Sequence, residues 1–144
     1  MLEGKYILFG DCYDDVYEIR KQCTDSNVLD EMDREALHVI VYEDKNPIAC
    51  GRMLINEVGY VLDNIYVIKE KRKNKIGEFV VQLLIEKANL MCAKEILVFC
   101  EDDNKVFFES IGFKECRQRF NTNKAEIVMY LDLNTYFSKN KCCQ

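Results

Sequence analysis

The sequence predicts a mixed α/β (α+β) fold in which a mostly antiparallel sheet of six to seven strands carries helices on both faces. Short apolar segments recur along the chain, and two of them flank a dense turn signal at residues 44–47. One longer segment, from Ile76 to Met91, instead has apolar residues at the three- and four-residue spacing of a helix packed on a core. With 144 residues and 49% apolar content, the chain suits one domain.

The first half of the chain should form most of the antiparallel part of the sheet. Asp11 is positioned to cap a first helix with its apolar face at Cys12, Val16, Ile19 and Cys23. The polar, acidic residues 24–35 leave room for one short helical turn. Four strands are predicted before the long helix, at residues 5–9, 38–42, 48–55 and 59–67.

The second half should complete the sheet. Residues 96–100 form a continuous apolar run, which is typical of a central strand covered on both faces. A short helix at 104–110 is expected to end at Gly112, and residues 113–119 and 125–133 form a last hairpin. The predicted order is β-α-(α)-β-β-β-α-β-α-β-β. The domain is predicted to span residues 1–134, and residues 135–144, with Cys142 and Cys143, to form a C-terminal tail.

A basic turn between the strand ending at Val67 and the helix starting near Ile76 is the most informative local feature. Five of the seven residues 69–75 are lysine or arginine. The first turn of a helix presents unpaired N–H groups and the positive end of its dipole, so an anionic group such as pyrophosphate is expected there. The alternative is a solvated basic connector. The Walker and Rossmann glycine motifs are both absent from the sequence.

Charge and composition restrict the class of function. A net charge of −5 and a pI near 5.0 disfavour a general nucleic-acid binder, which needs a broad positive face. The sequence has neither a long apolar run nor a signal-peptide pattern, so we expect a cytoplasmic protein without a membrane partner. With a single histidine and no C-x-x-C motif, no metal site is expected.

The order of elements, the basic turn after the fourth strand and the segment Phe-Phe-Glu-Ser-Ile-Gly-Phe at 107–113 together resemble the GNAT superfamily of N-acetyltransferases. This resemblance covers nearly the whole chain. Residues 31–38 and the hairpin through 49–52 are most similar to the small bacterial ElaA-like branch. The resemblance implies that the fourth and fifth strands splay apart, that acetyl-coenzyme A lies in the resulting V, and that its pyrophosphate contacts the basic turn.

The resemblance also implies which residues bind the cofactor. Backbone groups of the fourth strand would pair with the pantetheine arm, as an added strand pairs with an open edge. Lys75 departs from the family by replacing the first glycine of the turn, so its side chain is expected either to crowd the phosphate or to lose a positive φ. The residues assigned to the cofactor are Ile65, Tyr66, Val67, Arg72, Lys73, Asn74, Lys75, Ile76, Gly77, Glu78, Asn104, Phe107 and Phe108.

Amine acetylation needs a proton acceptor and a proton donor. Glu101 follows the fifth strand, where a partly desolvated carboxylate would have a raised pKa and serve as the base; alternatively it begins an acidic turn and caps the next helix. Phe108 stands where the family commonly carries the tyrosine that protonates the departing thiolate. Tyr66 and Tyr130 are the candidates to supply that hydroxyl instead.

Two further residues are candidates for binding the acceptor. His38, the only histidine, could titrate or donate near the cleft, or could be a structural histidine satisfied by its neighbours. Glu31, with Asp30 and Asp33, could attract a cationic amine, or could belong to a solvated loop.

The sequence therefore predicts an acetyl-CoA-dependent N-acetyltransferase that acts directly on a primary amine of a small molecule or a protein. The alternative is a degenerate member of the fold that binds coenzyme A as a sensor or interaction module without turnover. A nucleic-acid module using the basic turn is the third and least favoured interpretation. Exposed antiparallel edges also allow a homodimer.

Overall fold

The computed structural model describes residues 1–7, 12–25, 28–116 and 126–141. The strands are β1 Leu2–Ile7, β2 Leu37–Glu43, β3 Asn46–Asn56, β4 Gly59–Val67, β5 Glu95–Cys100, β6 Lys114–Glu115 and β7 Ile127–Asp132. The helices are α1 Asp14–Cys23, α2 Ile76–Leu90, α3 Asp102–Ile111 and α4 Leu133–Lys141, with 3₁₀ helices at Glu31–Glu35 and Lys69–Lys71. The strands form one sheet in the order β1-β2-β3-β4-β5-β7-β6. The predicted mixed fold, with a mostly antiparallel sheet of six to seven strands, is confirmed, and the described residues form seven strands.

All neighbouring strands pair antiparallel except β4 and β5, which are parallel. Their pairing is limited to Val61 opposite Leu97 and Leu62 opposite Val98. Beyond Leu62, β4 continues to pair with β3 through a bulge, and Asn64 adopts a φ of 48° there. The rest of β4 is therefore open on the side of β5, and the two strands diverge.

Helices cover both faces of the sheet, as predicted. One face packs against α2 through residues such as Val80, Leu84 and Ile85, each fully buried. The cluster of buried side chains on this face is the larger core. The other face carries α1, where Val16 and Ile19 pack on β2 and β3. The buried side chains on this face form the smaller core. Sequence periodicity locates α2 well, because its apolar stripe is continuous over four turns.

Some predicted boundaries are wrong. The first helix begins at Asp14, after Tyr13, so Cys12 precedes it and is exposed. Asp11, the predicted cap, lies outside the described residues, as do the last two residues predicted for the first strand. Strand β6 is only two residues long, and the rest of the predicted segment 113–119, from 117 onward, also lies outside them. The short helical turn expected within residues 24–35 is present as the 3₁₀ helix Glu31–Glu35.

The boundary predicted at residue 134 does not match the structure, because α4 runs through it. The side chain of Asp132 accepts a hydrogen bond from the backbone N–H of Thr135 at 2.9 Å, which caps the helix start. Leu133 is buried, and Tyr136 and Phe137, three and four residues further on, pack against the larger core. The segment expected to be a tail is therefore a helix, stabilised by burial of its apolar side chains. Residues 142–144 lie outside the described residues.

Within the described part of the chain, no helix combines the length and the apolar character needed to cross a membrane.

Candidate active site

A cleft of about 840 Å³ opens where β4 and β5 diverge. Its walls are the open half of β4, the end of β5, the basic turn with the start of α2, and one face of α3. All thirteen residues assigned to the cofactor except Asn74 line this cleft. Asn74 is exposed within the same turn. The structure thus brings together residues that are up to 43 positions apart in the sequence, from Ile65 to Phe108.

The open edge of β4 supplies the long wall of the cleft. The side chains of Ile65 and Val67 pack against the larger core, while Tyr66 packs against the smaller core on the opposite face. The last carbonyl of the strand has partners within the protein: Val67 O accepts hydrogen bonds from Arg72 Nε at 2.9 Å and from Cys23 Sγ at 3.5 Å. The Arg72 side chain therefore folds back over the end of β4.

The basic turn adopts a strained backbone. Lys73 and Lys75 have φ values of 70° and 62°, in the left-handed region that glycine prefers. The expectation that Lys75 would lose the positive φ is therefore wrong, since the lysine adopts it at a cost of roughly 1–2 kcal/mol. Both side chains are exposed and form no salt bridge with any described residue, whereas Lys71 is paired with Glu43.

The start of α2 is open to a ligand. Its N-cap residue, Lys75, makes no side-chain capping hydrogen bond, so the first N–H groups of the helix lack a side-chain acceptor from this position. A Cβ atom at Gly77 would lie 3.5 Å from the Phe107 ring and 3.7 Å from Val67 Cγ2, which are ordinary contacts. The fold itself therefore does not require glycine at position 77. Its missing side chain instead leaves the backbone at the helix start accessible from the cleft.

Glu101 lies at the mouth of the V. It is the first residue after β5, it lines the cleft, and it is exposed. Its backbone carbonyl accepts a hydrogen bond from Asn104 N at 2.9 Å, but its side chain does not cap α3. The predicted partial burial is therefore not provided by the described residues. Asp63, Glu78 and Glu126 also line this cleft, and Glu126 was not among the residues predicted from the sequence.

Phe108 lines the cleft but contributes no polar atom. It is 7% exposed, and its ring makes edge contacts with Phe107 and Phe113 at centroid distances of 5.1 and 5.4 Å. A phenylalanine thus fills the position where the resemblance places a proton-donating tyrosine.

The two tyrosines proposed as substitutes lie in different places. Tyr66 lines the cleft, and burial raises its pKa, so the phenol stays protonated at neutral pH. Tyr130 lies on β7 and lines a separate depression of about 300 Å³ beside α4. The structure does not bring Tyr130 to the cleft, and we remove it from the catalytic candidates.

His38 and Glu31, the predicted acceptor residues, do not line the cleft either. His38 is fully buried, and because Asp33 O can only accept, His38 Nε2 donates to it at 2.9 Å. Burial is the main cause that lowers the pKa of His38, and the charges of Arg20 and Arg52 act in the same direction. His38 is therefore a neutral structural residue. Glu31 is exposed at the start of the 3₁₀ helix.

A buried arginine–aspartate network was missed by sequence reasoning. Its members are Arg20, Asp30, Asp33, Arg52 and Asp63, from α1, the 3₁₀ region, β3 and β4. Burial by itself would raise the pKa of Asp33. Hydrogen bonds from Arg20 and the Asp30 backbone, with the charges of both arginines, outweigh burial and lower that pKa. The available signal was the presence of a charged residue in each of two otherwise apolar strand segments, at positions 52 and 63.

A sheet that opens beside an uncapped helix start and a basic turn defines a site for an elongated ligand with a polyanionic end. Among the described residues, no three His, Cys, Asp or Glu side chains cluster as metal ligands would.

The protein-family model for the acetyltransferase (GNAT) domain matches residues 12–131. The chain therefore belongs to this family of acyltransferases, and the resemblance inferred from its motifs is confirmed.

Three similar proteins illustrate the relationship. The uncharacterized N-acetyltransferase YjcF of Bacillus subtilis (strain 168) is 23% identical over 86 residues, which are 60% of this chain and 61% of that protein. Escherichia coli ElaA is 16% identical, with a TM-score of 0.75 over 92% of this chain and 100% of its own. The PaiA N-acetyltransferase of Thermoplasma acidophilum, solved in complex with coenzyme A, is 15% identical, with a TM-score of 0.70 over 92% and 99% of the two chains. The two solved structures show the shared fold.

Proposed function

We propose that the protein is an N-acetyltransferase that moves an acetyl group from acetyl-coenzyme A directly to a primary amine of a small molecule or a protein. One observation carries this proposal: the unpaired edge of β4 leads to the uncapped start of α2, where Lys73 and Lys75 are exposed. An extended arm and a pyrophosphate at its end match this combination of an open strand edge and a cationic helix start.

Different residues of the cleft suit different parts of the cofactor. Lys73, Lys75 and the backbone N–H groups around Gly77 are suited to hold pyrophosphate oxygens, because charge-assisted hydrogen bonds to anions are the strong ones. The edge at Ile65–Val67 is suited to an amide-containing arm. Arg72 would have to release Val67 O at 2.9 Å before an arm amide could donate to that carbonyl.

The transfer itself requires two proton movements. The amine nitrogen forms a bond to the acetyl carbon, and the bond from that carbon to sulfur breaks. Glu101, directly or through water, takes the proton lost by the amine. The Tyr66 hydroxyl, which lines the cleft, gives a proton to the departing thiolate.

Titration calorimetry and thermal unfolding test the cofactor assignment. Acetyl-coenzyme A at about a hundred times its dissociation constant should stabilise the fold by roughly 2.7 kcal/mol. Pantetheine, which lacks the pyrophosphate, should bind much more weakly. Lys73→Gln should weaken coenzyme A binding, whereas Lys94→Gln, at an exposed position outside the cleft, should not. Absence of both binding heat and thermal stabilisation would exclude the cofactor.

A panel of primary amines analysed by mass spectrometry then tests turnover. The panel should include polyamines, amino sugars and peptides with free N-termini or lysines, because each represents a different class of acceptor. An acetylated product that appears only with enzyme and acetyl-coenzyme A supports the proposal.

The second candidate function is coenzyme A binding without turnover. Phe108, which lacks a hydroxyl, and the exposed Glu101 favour it. The same two experiments separate the candidates: binding heat together with no product from any amine in the panel would support a sensor or interaction module.

A further inference from the structure

Arg52 forms an unusually complete set of hydrogen bonds for a buried cation. Its side chain is 2% exposed. Nε and Nη2 donate to the two carboxylate oxygens of Asp63, each at 2.7 Å, in a bidentate pair. Nη1 donates to Asp30 Oδ1 at 2.7 Å and to Asp33 Oδ1 at 3.0 Å. One guanidinium therefore joins β4 to the 3₁₀ region that precedes β2.

The network extends from Arg52 to the first helix. Arg20 Nη1 donates to both carboxylate oxygens of Asp33, at 3.1 Å to Oδ1 and 3.0 Å to Oδ2. The Arg20 side chain is likewise 2% exposed. Asp33 Oδ2 in addition accepts the backbone N–H of Asp30 at 2.8 Å, which closes the capping box of the 3₁₀ helix. The helix α1 and the 3₁₀ helix are thus linked through Arg52 of β3 to a single residue of β4.

That residue occupies the point where the cleft begins. Asp63 follows Leu62, the last residue of β4 that pairs with β5, and precedes Asn64, whose positive φ marks the bulge. Asp63 lines the cleft, and its carboxylate is 33% exposed. Beyond this point β4 pairs with β3 alone, and Asp63 is thus held by Arg52 directly before the open segment Ile65–Val67.

Core packing alone does not account for this arrangement. Burying charges is costly in general, and an apolar side chain of similar size often serves stability equally well. A network of this kind is informative where it fixes a geometry that packing leaves free. The open half of β4 pairs with β3 and packs on both cores, but it has no neighbour on the β5 side, so its separation from β5 is held from one side only.

We infer that Arg52 is a positioning residue for acetyl transfer: by clamping Asp63 it sets the direction of β4 beyond the bulge, and with it the position of the thioester relative to Glu101. This inference rests on the proposed function for its catalytic part. It predicts that loosening the clamp disturbs the open edge of β4 without affecting the pyrophosphate end of the cleft.

Two variants test the clamp at different strengths. Asp63→Asn keeps the size of the side chain and leaves Arg52 paired with Asp30 and Asp33, so the fold should persist. Arg52→Lys keeps the charge but cannot form the bidentate pair. The matched control is Lys105→Met, which removes a partly exposed ion pair to Glu115 outside the cleft.

The first readout is backbone hydrogen exchange, which does not depend on activity. Both clamp variants should exchange at least about tenfold faster than the parent at amides of residues 64–67 that pair with β3, with little change across β5 and β7. The second readout is kinetic: kcat should fall at least about tenfold, while the dissociation constant of coenzyme A changes less than about threefold. The control should match the parent in both.

Unchanged exchange at residues 64–67 in both variants would overturn the inference. So would faster exchange throughout the sheet together with an unchanged kcat below the melting temperature, because Arg52 would then be a structural residue only. If the parent acetylates no amine, the proposed function fails while hydrogen exchange still decides whether Arg52 directs β4. The two failures are therefore distinguishable.

Discussion

The basic turn and the arginine–aspartate network are both rich in charge, but they use it in opposite ways. Lys73 and Lys75 are exposed, form no salt bridge with any described residue, and stand on a left-handed backbone. Arg52 is almost fully buried and donates four hydrogen bonds to carboxylates at 2.7 to 3.0 Å.

This difference separates charges that we propose bind a ligand from charges that maintain the fold. Buried charges must be paired, because an unpaired ion in the interior is very costly. Exposed, unpaired cations on a strained backbone contribute little to stability, and the strain is typical of functional sites. We therefore expect substitutions in the first region to change binding or turnover, and substitutions in the second to change stability or geometry.

Glu101 provides the largest expected effect, because it is exposed in the cleft and is proposed to act as the base. Glu101→Gln should lower turnover by roughly 10² to 10⁴-fold, the usual contribution of one general base. The free energy of unfolding and the affinity for coenzyme A should stay near the parent values, since the exposed side chain does not cap α3. Steady-state kinetics and calorimetry measure the two quantities.

Glu109→Gln is the matched control, at an exposed position of α3 outside the cleft. Equal turnover in the parent and in Glu101→Gln from about pH 6 to about pH 9 would show that Glu101 is not the base. Glu126, another carboxylate lining the cleft, would then be substituted next.

Asp33→Ala should have the largest effect on stability. It would leave Arg20 and Arg52 with fewer partners in the interior and break the cap of the 3₁₀ helix. Removing one member of a buried ion pair typically costs about 3–5 kcal/mol, to be measured by urea unfolding.

Asp44→Asn is the control for Asp33→Ala, since Asp44 pairs with the N-terminal amine on the surface at 3.0 Å and asparagine tolerates its φ of 50°. Such a pair contributes about 0–1 kcal/mol. Similar losses in the two variants would contradict the prediction that the buried network, rather than surface ion pairs, maintains the fold.

The same distinction explains what the sequence could reveal. The basic turn is contiguous, and the helix after it has a clear period, so both were located from residues 67–91 alone. The network joins positions 20, 30, 33, 52 and 63, and nothing local indicates that these side chains meet. Tyr130 and Tyr66 likewise could not be separated by sequence, because their distances from the cleft depend on sheet order.

Local signals also failed where tertiary packing decides. The helix α4 was missed because its polar C-terminal residues resemble a tail, although Asp132, Leu133, Tyr136 and Phe137 carry a cap and an apolar face. Lys75 was expected to lose a positive φ because propensity disfavours it, yet the turn imposes one.

Gly77→Ala should separate folding from binding at the start of α2. The new Cβ would make ordinary contacts with Phe107 and Val67, and alanine is a better helix former than glycine by about 1 kcal/mol, so stability should not fall. The methyl group would stand on the surface facing the cleft. We expect coenzyme A to bind about tenfold more weakly, a loss of about 1.4 kcal/mol, by calorimetry.

The contrasting variant for Gly77→Ala is Gly51→Ala on β3. There a Cβ would come within 2.6 Å of Val80 Cγ1, so stability should fall by about 1–3 kcal/mol. If Gly77→Ala binds coenzyme A as tightly as the parent, the ligand does not approach that part of the backbone.

The smallest expected effect is the pH dependence contributed by His38, which touches the network through Asp33 at 2.9 Å. Its folded pKa lies below the ordinary 6.5, so folding favours the neutral ring and the unfolded chain binds more protons as pH falls. The stability from His38 is therefore present above about pH 6.5 and is lost as pH drops below it. Between about pH 7 and about pH 5.5 the loss is at most about 1.3 kcal/mol.

Urea unfolding of the parent and of His38→Gln at these two pH values measures this contribution. Glutamine can still donate to Asp33 O, so the variant should remain folded and lose most of the difference between the two values. Asp33 titrates in a separate window, because its pKa is lowered from 3.8 and its contribution disappears only at more acidic pH. The charges of Arg20 and Arg52 do not change anywhere in this range. An equal pH dependence in parent and variant would mean that His38 is not kept neutral by its burial.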